Sequence, residues 1–400
     1  MNPTPTAITD TPTNIGAPPA HWSGVFAMSF CVFALIASEF LPVSILTPLA
    51  ADLQVSEGLV GQGIAISGAF AVITSLLITR LAGDMNRKTL LLGLTALMGV
   101  SGAVIASAPN YAIYMVGRAL IGVVVGGFWS MSAATAMRLV PRTDVPRALA
   151  IFNSGNALAT VIAAPLGAWL GAIIGWRGAF FCLVPIALIT FIWQWISLPS
   201  MPVESKNQVS RGLFNLLSQR VVALGMLGVG LFFMGQFALF TYLRPFLESI
   251  TRLNVIQVTL ALLVIGVAGF IGTLMISRVI KLNLYLSLIA TPLLMAVLAF
   301  ALIGFGSWPI VVVGLLGCWG LISTAAPVGW WAWLAQTLPE DAEAGGGLIV
   351  ATIQLSIALG STLGGFLFDW SGYQSTFVAS AILLLIAAVL IFIAARMEKR

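Results

Sequence analysis

The apolar run "FALIASEFLPVSIL" contains a single carboxylate, Glu39, and a second apolar run, "MVGRALIGVVVGG", contains a single cation, Arg118. A carboxylate in such surroundings can take up and release a proton, because its proton affinity answers to burial and to any neighbouring cation. Ionised groups within apolar spans are costly and mark functional sites by default. The alternative is a static ion pair joining the two segments. Further polar and aromatic side chains fall near the middle of other apolar runs: Gln62, Asn153, Asn156, Gln236, Phe237, Trp319 and Gln354. Their amides and rings suit a small polar ligand with hydrogen-bonding groups and a flat face. The same residues could instead bond or pack helix to helix.

The elements that must position these residues are membrane helices. Of the 400 residues, 60% are hydrophobic and only 8% charged, and the mean hydropathy is +1.05. An average soluble domain carries about 25% charged residues. Runs long enough to cross a bilayer, about 20 residues each, lie at 24–46, 59–81, 89–108, 111–137, 148–171, 178–198, 219–242, 257–279, 283–304, 309–337, 344–368 and 375–395. The expected fold is therefore an all-α integral membrane protein of twelve transmembrane helices. Glu39 lies about 15 residues into the first run, roughly 22 Å from one side, and Arg118 about 7 residues into the fourth, roughly 10 Å from the other. In a core about 30 Å thick both reach a similar depth and are placed to pair.

The polar stretch 199–218, "PSMPVESKNQVSRGLFNLLS", divides the runs six and six. A shift of 197 residues aligns "PLGAWLGAIIGWRGAF" at 165–180 with "TLGGFLFDWSGYQSTF" at 362–377, bringing Gly175 onto Gly372. The same shift aligns "EFLPVSILTPL" at 39–49 with "QFALFTYLRPF" at 236–246. Two parallel six-helix bundles follow, 23–198 and 219–400, with 199–218 as a cytoplasmic linker and 1–22 as a disordered cytoplasmic tail. A cavity between such halves opens to one side and then the other. Glu39 falls on Gln236 and Arg118 on Leu315. Both charges within spans thus belong to the first half, which is the expected seat of ion coupling.

Charge placement fixes the expected orientation. With both termini cytoplasmic, fourteen of the 18 Lys and Arg residues fall on the inner side, and three, Arg177, Arg244 and Arg252, on the outer side, a positive-inside bias. The isoelectric point near 9.4 is then a topology signal rather than a nucleic-acid surface. Cys31, Cys182 and Cys318 read as small apolar fillers within helices. The sequence holds one histidine, His21, and no Walker A loop, so no metal, nucleotide or other cofactor is expected, and neither an intramembrane enzyme nor a ring-type channel filter is indicated. Trp330, Trp331 and Trp333 read as an interfacial aromatic belt. Glycines in "GRALIGVVVGGFW" and "GSTLGGFLFDWSG" read as close helix packing.

These motifs resemble the major facilitator superfamily and, within it, the proton-coupled exporter branch that includes drug, sugar and nucleoside efflux proteins. "SEFLPVSIL" carries the branch's acidic position at Glu39, and "GRALIGVVVGGFW" resembles its fourth-helix motif with Arg118 as the basic residue. "AAPLGAWLG" with "GWRGAFF" is similar to the exporter-associated fifth-helix motif, with Ala164 where glycine is usual. "LAGDMNRKTLL" resembles a compressed form of the family's gating loop, with Asp84, Arg87 and Lys88 in its acidic and basic places. "GGFWSMSAATAMRLVP", "GQFALFTYLRPFLE" and "APVGWWAWLAQTL" look more like purine ribonucleoside exporters than arabinose-type sugar exporters. The resemblance implies a monomeric, multi-pass protein of the bacterial inner membrane. It would export a small molecule against protons, with a sugar or drug as the alternative cargo.

Overall fold

The computed structural model describes residues 20–83, 85–202, 217–338 and 342–398. Most of the expected tail and linker, and Asp84 of the expected gating loop, lie outside the described residues. The helices are α1 (Trp22–Ser44), α2 (Leu46–Leu53), α3 (Glu57–Ala82), α4 (Arg87–Ala106), α5 (Tyr111–Arg138), α6 (Val145–Phe181), α7 (Leu183–Ser197), α8 (Arg220–Phe240), α9 (Leu243–Ser249), α10 (Val255–Leu282), α11 (Leu284–Phe305), α12 (Pro309–Ser323), α13 (Ala326–Thr337) and α14 (Ala342–Glu398). Side-chain caps explain several starts. Ser56, Asn86, Asn110 and Asn283 each accept a backbone N–H of the first turn that follows, and Asn254 forms a reciprocal capping box with Gln257. Each cap satisfies a donor that the helix itself leaves orphaned.

Among the described residues ten helical stretches are long and apolar enough to cross a membrane. Two of them, α6 and α14, are broken internally by Gly175 (φ 73°) and Gly372 (φ 78°). Positive φ is accessible to glycine at little cost, and these two mark the turns at which the chain reverses. Dividing both helices there, and joining 176–181 to α7, yields twelve crossings in two six-helix bundles. The two glycines are repeat mates at the 197-residue shift. The shift is 198 between the starts of α3 and α10, Glu57 and Val255, so one residue has been inserted in the connection before α10.

Small residues let the bundles approach closely. Within the first half α1 packs on α6, and within the second α8 packs on α14; between halves α3 meets α14 and α6 meets α10. At the α3–α14 crossing, a Cβ on Gly61 would lie 2.0 Å from the Tyr242 hydroxyl and one on Gly365 2.3 Å from it. Glycine is required at both.

The end of the molecule opposite the termini is sealed by polar bonds between the halves. Asp369 accepts from the Ser56 hydroxyl and from the Gly58 N–H, the latter at 2.9 Å. Thr362 donates to Gln62 at 3.0 Å, Tyr242 donates to the Gly58 carbonyl at 3.5 Å, and Arg244 donates to the Ser44 carbonyl. An anion at a helix N-terminus gains both from the free N–H groups and from the helix dipole. Because Asp369 is exposed, its contribution is about 1 kcal/mol, roughly fivefold in an equilibrium. Asp369→Asn is therefore expected to raise labelling of a cysteine placed at Phe40 by an impermeant maleimide from that end about fivefold. An unchanged labelling rate means that Asp369 does not hold this end shut.

Candidate functional site

The site is built around a proline. Pro42 lies inside α1 and has no N–H for the carbonyl of Ser38, four residues earlier. Arg118 of α5 supplies the missing donor: its Nη1 donates to the Ser38 carbonyl at 3.0 Å, its Nη2 to the Glu39 backbone carbonyl at 3.0 Å, and its Nε to the Gly63 carbonyl of α3 at 2.9 Å. The guanidinium is fully buried and staples α1 and α3 to α5. The alternative of a static ion pair with the Glu39 carboxylate is not what the structure shows. Among the described residues no ion pair joins them, because the cation is spent on backbone carbonyls that the proline kink and the close approach of α3 present to it.

The Glu39 carboxylate faces the second half. Its Oε1 accepts from Gln354 Nε2 of α14 at 3.2 Å, and both residues are buried, at 4% and 7% exposed. They lie on the wall of a cavity of about 270 Å³ between the bundles, whose other walls include Phe40, Trp129, Asn156, Thr160, Phe233, Gln236, Phe237, Ser323, Thr324 and Trp331. A smaller cavity of about 130 Å³ adjoins it, sharing Phe40, Asn156, Thr160, Gln236 and Phe237. Phe40 and Phe237 are repeat mates, and their rings stack across the pseudo-two-fold axis with centroids 5.5 Å apart. From them the lining runs toward the terminus-bearing end through Trp129, Trp331 and Val350, away from the sealed end. Gln236 Oε1 is buried there without a hydrogen-bond partner.

The expected site residues therefore separate. Glu39, Asn156, Gln236, Phe237 and Gln354 share the cavity. Trp319 does not: it is fully buried in the apolar cluster of the second half. Asn153 donates to the Leu149 carbonyl of its own helix at 2.9 Å and is off the cavity wall, and Gln62 belongs to the seal. Arg118 stands behind α1 rather than in the cavity. Arg87 and Lys88 begin α4, where Asn86 caps the helix through Lys88 N–H at 2.9 Å and donates to Ser200 at 2.6 Å. The Arg87 N–H bonds the Met201 carbonyl, so this loop is tied to the chain leaving α7.

The tryptophan triplet is not an interfacial belt. Trp330 and Trp333 are buried, the latter donating to the Tyr285 hydroxyl at 3.2 Å, and Gly225 of α8 makes room for its ring. Trp331, 44% exposed, turns to the cavity instead. Cys182 lies at the junction of α6 and α7 rather than within a helix. Trp129, Phe40 and Thr160 line the cavity without having been singled out by type. Two of them had a signal: Phe40 is the repeat mate of Phe237, and Thr160 lies one helical turn beyond Asn156. Among the described residues no three His, Cys, Asp or Glu side chains gather as a metal site requires.

Two six-helix bundles enclosing a largely apolar, aromatic-walled cavity that carries several polar side chains and is sealed at one end define a membrane transporter. The sequence matches the family model of the Major Facilitator Superfamily over residues 28–346, and the chain belongs to that superfamily. It is 66% identical over 378 residues, 94% of each chain, to a Pseudomonas aeruginosa protein named transcription regulatory protein OpdE. It is 40% identical over 379 residues, 95% of this chain and 96% of the relative, to the purine ribonucleoside efflux pump NepI of Escherichia coli K12. Among solved structures, a variant of the nucleoside transporter NupG superposes with a TM-score of 0.75 at 14% identity, covering 94% of this chain and 98% of that one. A D-xylose-proton symporter superposes with a TM-score of 0.74 at 17% identity, covering 92% and 95%. These two structures speak to the fold.

Proposed function

We propose that the protein exports purine ribonucleosides from the bacterial cytoplasm across the inner membrane in exchange for protons, by alternating access, with Glu39 as the proton-coupling carboxylate. The observation that carries the substrate class is the near full-length similarity to purine ribonucleoside efflux pumps. The cavity supports it. Trp129, Trp331 and the Phe40–Phe237 pair offer faces for a flat base, while Asn156, Thr160, Ser323, Thr324 and Gln236 offer partners for sugar hydroxyls. At about 270 Å³ the cavity falls just under the roughly 300–1,000 Å³ typical of ligand pockets, which suits a small metabolite better than the larger cargo of a multidrug exporter. The positive-inside bias supports cytoplasmic termini, which makes the seal the outer gate. The regulatory name of the Pseudomonas relative is compatible with this activity, because an exporter sets the internal concentration of any effector it carries.

The test is flux of labelled inosine in proteoliposomes under imposed pH gradients, with arabinose as the parallel substrate. Gradient-stimulated inosine flux is the expected result; flux with arabinose alone assigns a sugar exporter. The unpaired Gln236 acceptor makes a further prediction. Gln236→Leu removes a hydrogen bond worth about 1–1.5 kcal/mol to bound substrate, so the KM for inosine rises about tenfold with the gradient dependence retained. An unchanged KM returns Gln236 to helix packing.

A further inference from the structure

We propose that Gln354 is the residue that ties the movement of the two bundles to the charge on Glu39, a positioning role that rests on Glu39 being the proton-coupling carboxylate. Among the described residues, the bonds from Asp369, Thr362, Tyr242 and Arg244 to the first half all lie at the sealed end. The Gln354–Glu39 bond crosses between halves inside the cavity itself. It is placed to sense the gate. Gln354 lies on the same helix as Thr362 and Asp369, and a Cβ on Gly68 of α3 would meet the Gln354 carbonyl at 2.8 Å. Opening the sealed end requires α14 to leave α3, and that movement takes the Gln354 amide away from α1.

The chemistry of the bond makes the movement matter. An amide N–H holds an ionised carboxylate about twice as strongly as it holds a neutral acceptor, and a buried carboxylate that loses its donor is left uncompensated. With the far end sealed, the ionised form of Glu39 has its donor. When α14 withdraws, the proton replaces it. Among the described residues the ionisable group acting on Glu39 is Arg118 of α5, itself beside Tyr114. The charged residues of α3, α6, α8 and α14 lie near the ends of their spans, and Arg118 is already engaged by three backbone carbonyls. No other side chain on the cavity wall bonds the carboxylate among the described residues.

The internal repeat isolates this bond. At the 197-residue shift Glu39 corresponds to Gln236 and Gln354 to Ala157. Alanine cannot make the reciprocal bond, and Gln236 Oε1 is left without a partner. One side of the pseudo-two-fold thus couples charge to the gate, and the other leaves its amide facing the cavity.

The experiment compares Gln354→Leu, Glu39→Gln and the double variant in proteoliposomes, reading inosine accumulation driven by a pH gradient alongside inosine counterflow at equal pH, which needs no net proton movement. Gln354→Leu is expected to cut gradient-driven accumulation at least about tenfold and counterflow no more than about threefold. The double variant is expected to match Glu39→Gln alone, since Gln354 acts through that carboxylate. Gln354→Asn, with its shorter reach, gives the same split and replaces the leucine variant should that one not fold. Accumulation and counterflow falling together assigns Gln354 to substrate binding or packing and overturns the inference. Accumulation retained in Gln354→Leu but lost in Glu39→Gln overturns it while leaving the proton-coupling role intact; accumulation retained in Glu39→Gln overturns both.

Discussion

Glu39→Gln is expected to abolish pH-driven inosine accumulation while leaving the fold and inosine exchange in place. A gradient of one pH unit supplies about 1.4 kcal/mol per coupled proton, a tenfold accumulation, so the accumulation ratio falls from about ten to one for each unit imposed. The geometry explains why the fold should survive. The carboxylate bonds Gln354 rather than Arg118, and a glutamine oxygen accepts from the same amide. Arg118 keeps its three carbonyl partners, one of which is the Glu39 main chain. Had the two side chains formed an ion pair, neutralising one would have left a buried charge uncompensated and cost several kcal/mol. The check is paired flux and thermal unfolding on wild type and variant. Equal gradient stimulation in both proteins would make Glu39 a structural residue.

The fold was legible because bilayer physics writes itself into composition. Every span must be long and apolar, so the twelve runs stand out, and the repeat gives the bundle division without any contact information. Gly175 and Gly372 show how far this reaches, since two aligned glycines turned out to be the positive-φ turns of the two halves. Ends were less visible. The sixth run, read as 178–198, is interrupted at Cys182, because local backbone breaks depend on packing that apolar composition does not record.

The site was legible in part. Glu39, Gln236 and Gln354 stand out because a polar group in an apolar span must face a cavity or a partner. Which of the two it faces is set by helix rotation, and here Trp319, Trp331 and Asn153 were misplaced. A lipid-facing, a cavity-facing and a core-facing position are all apolar in a membrane protein, so periodicity does not separate them. Arg118 was misread for another reason. Its partners are main-chain carbonyls, and nothing in a residue's type announces an unpaired carbonyl except the proline that creates it. Pro42, four residues beyond Ser38, was that signal.

Arg118→Ala is accordingly expected to cost stability before it costs coupling. The substitution strips three buried carbonyls of a charged donor, and bonds to charged groups contribute about 1.5–3 kcal/mol each. Relaxation of α1 against α3 recovers part of this, leaving a loss of roughly 3 kcal/mol or more, visible as a lower unfolding midpoint in detergent. Arg118→Lys keeps the charge but not the planar fork that reaches three acceptors at once, so it falls between alanine and wild type. Pro42→Ala provides the decisive comparison. It restores an N–H for the Ser38 carbonyl within α1 and should return about 1 kcal/mol to the Arg118→Ala protein. If Arg118 instead acted as a counter-ion to Glu39, lysine would restore stability fully and the proline substitution would restore none of it, and that pattern would refute the stapling role.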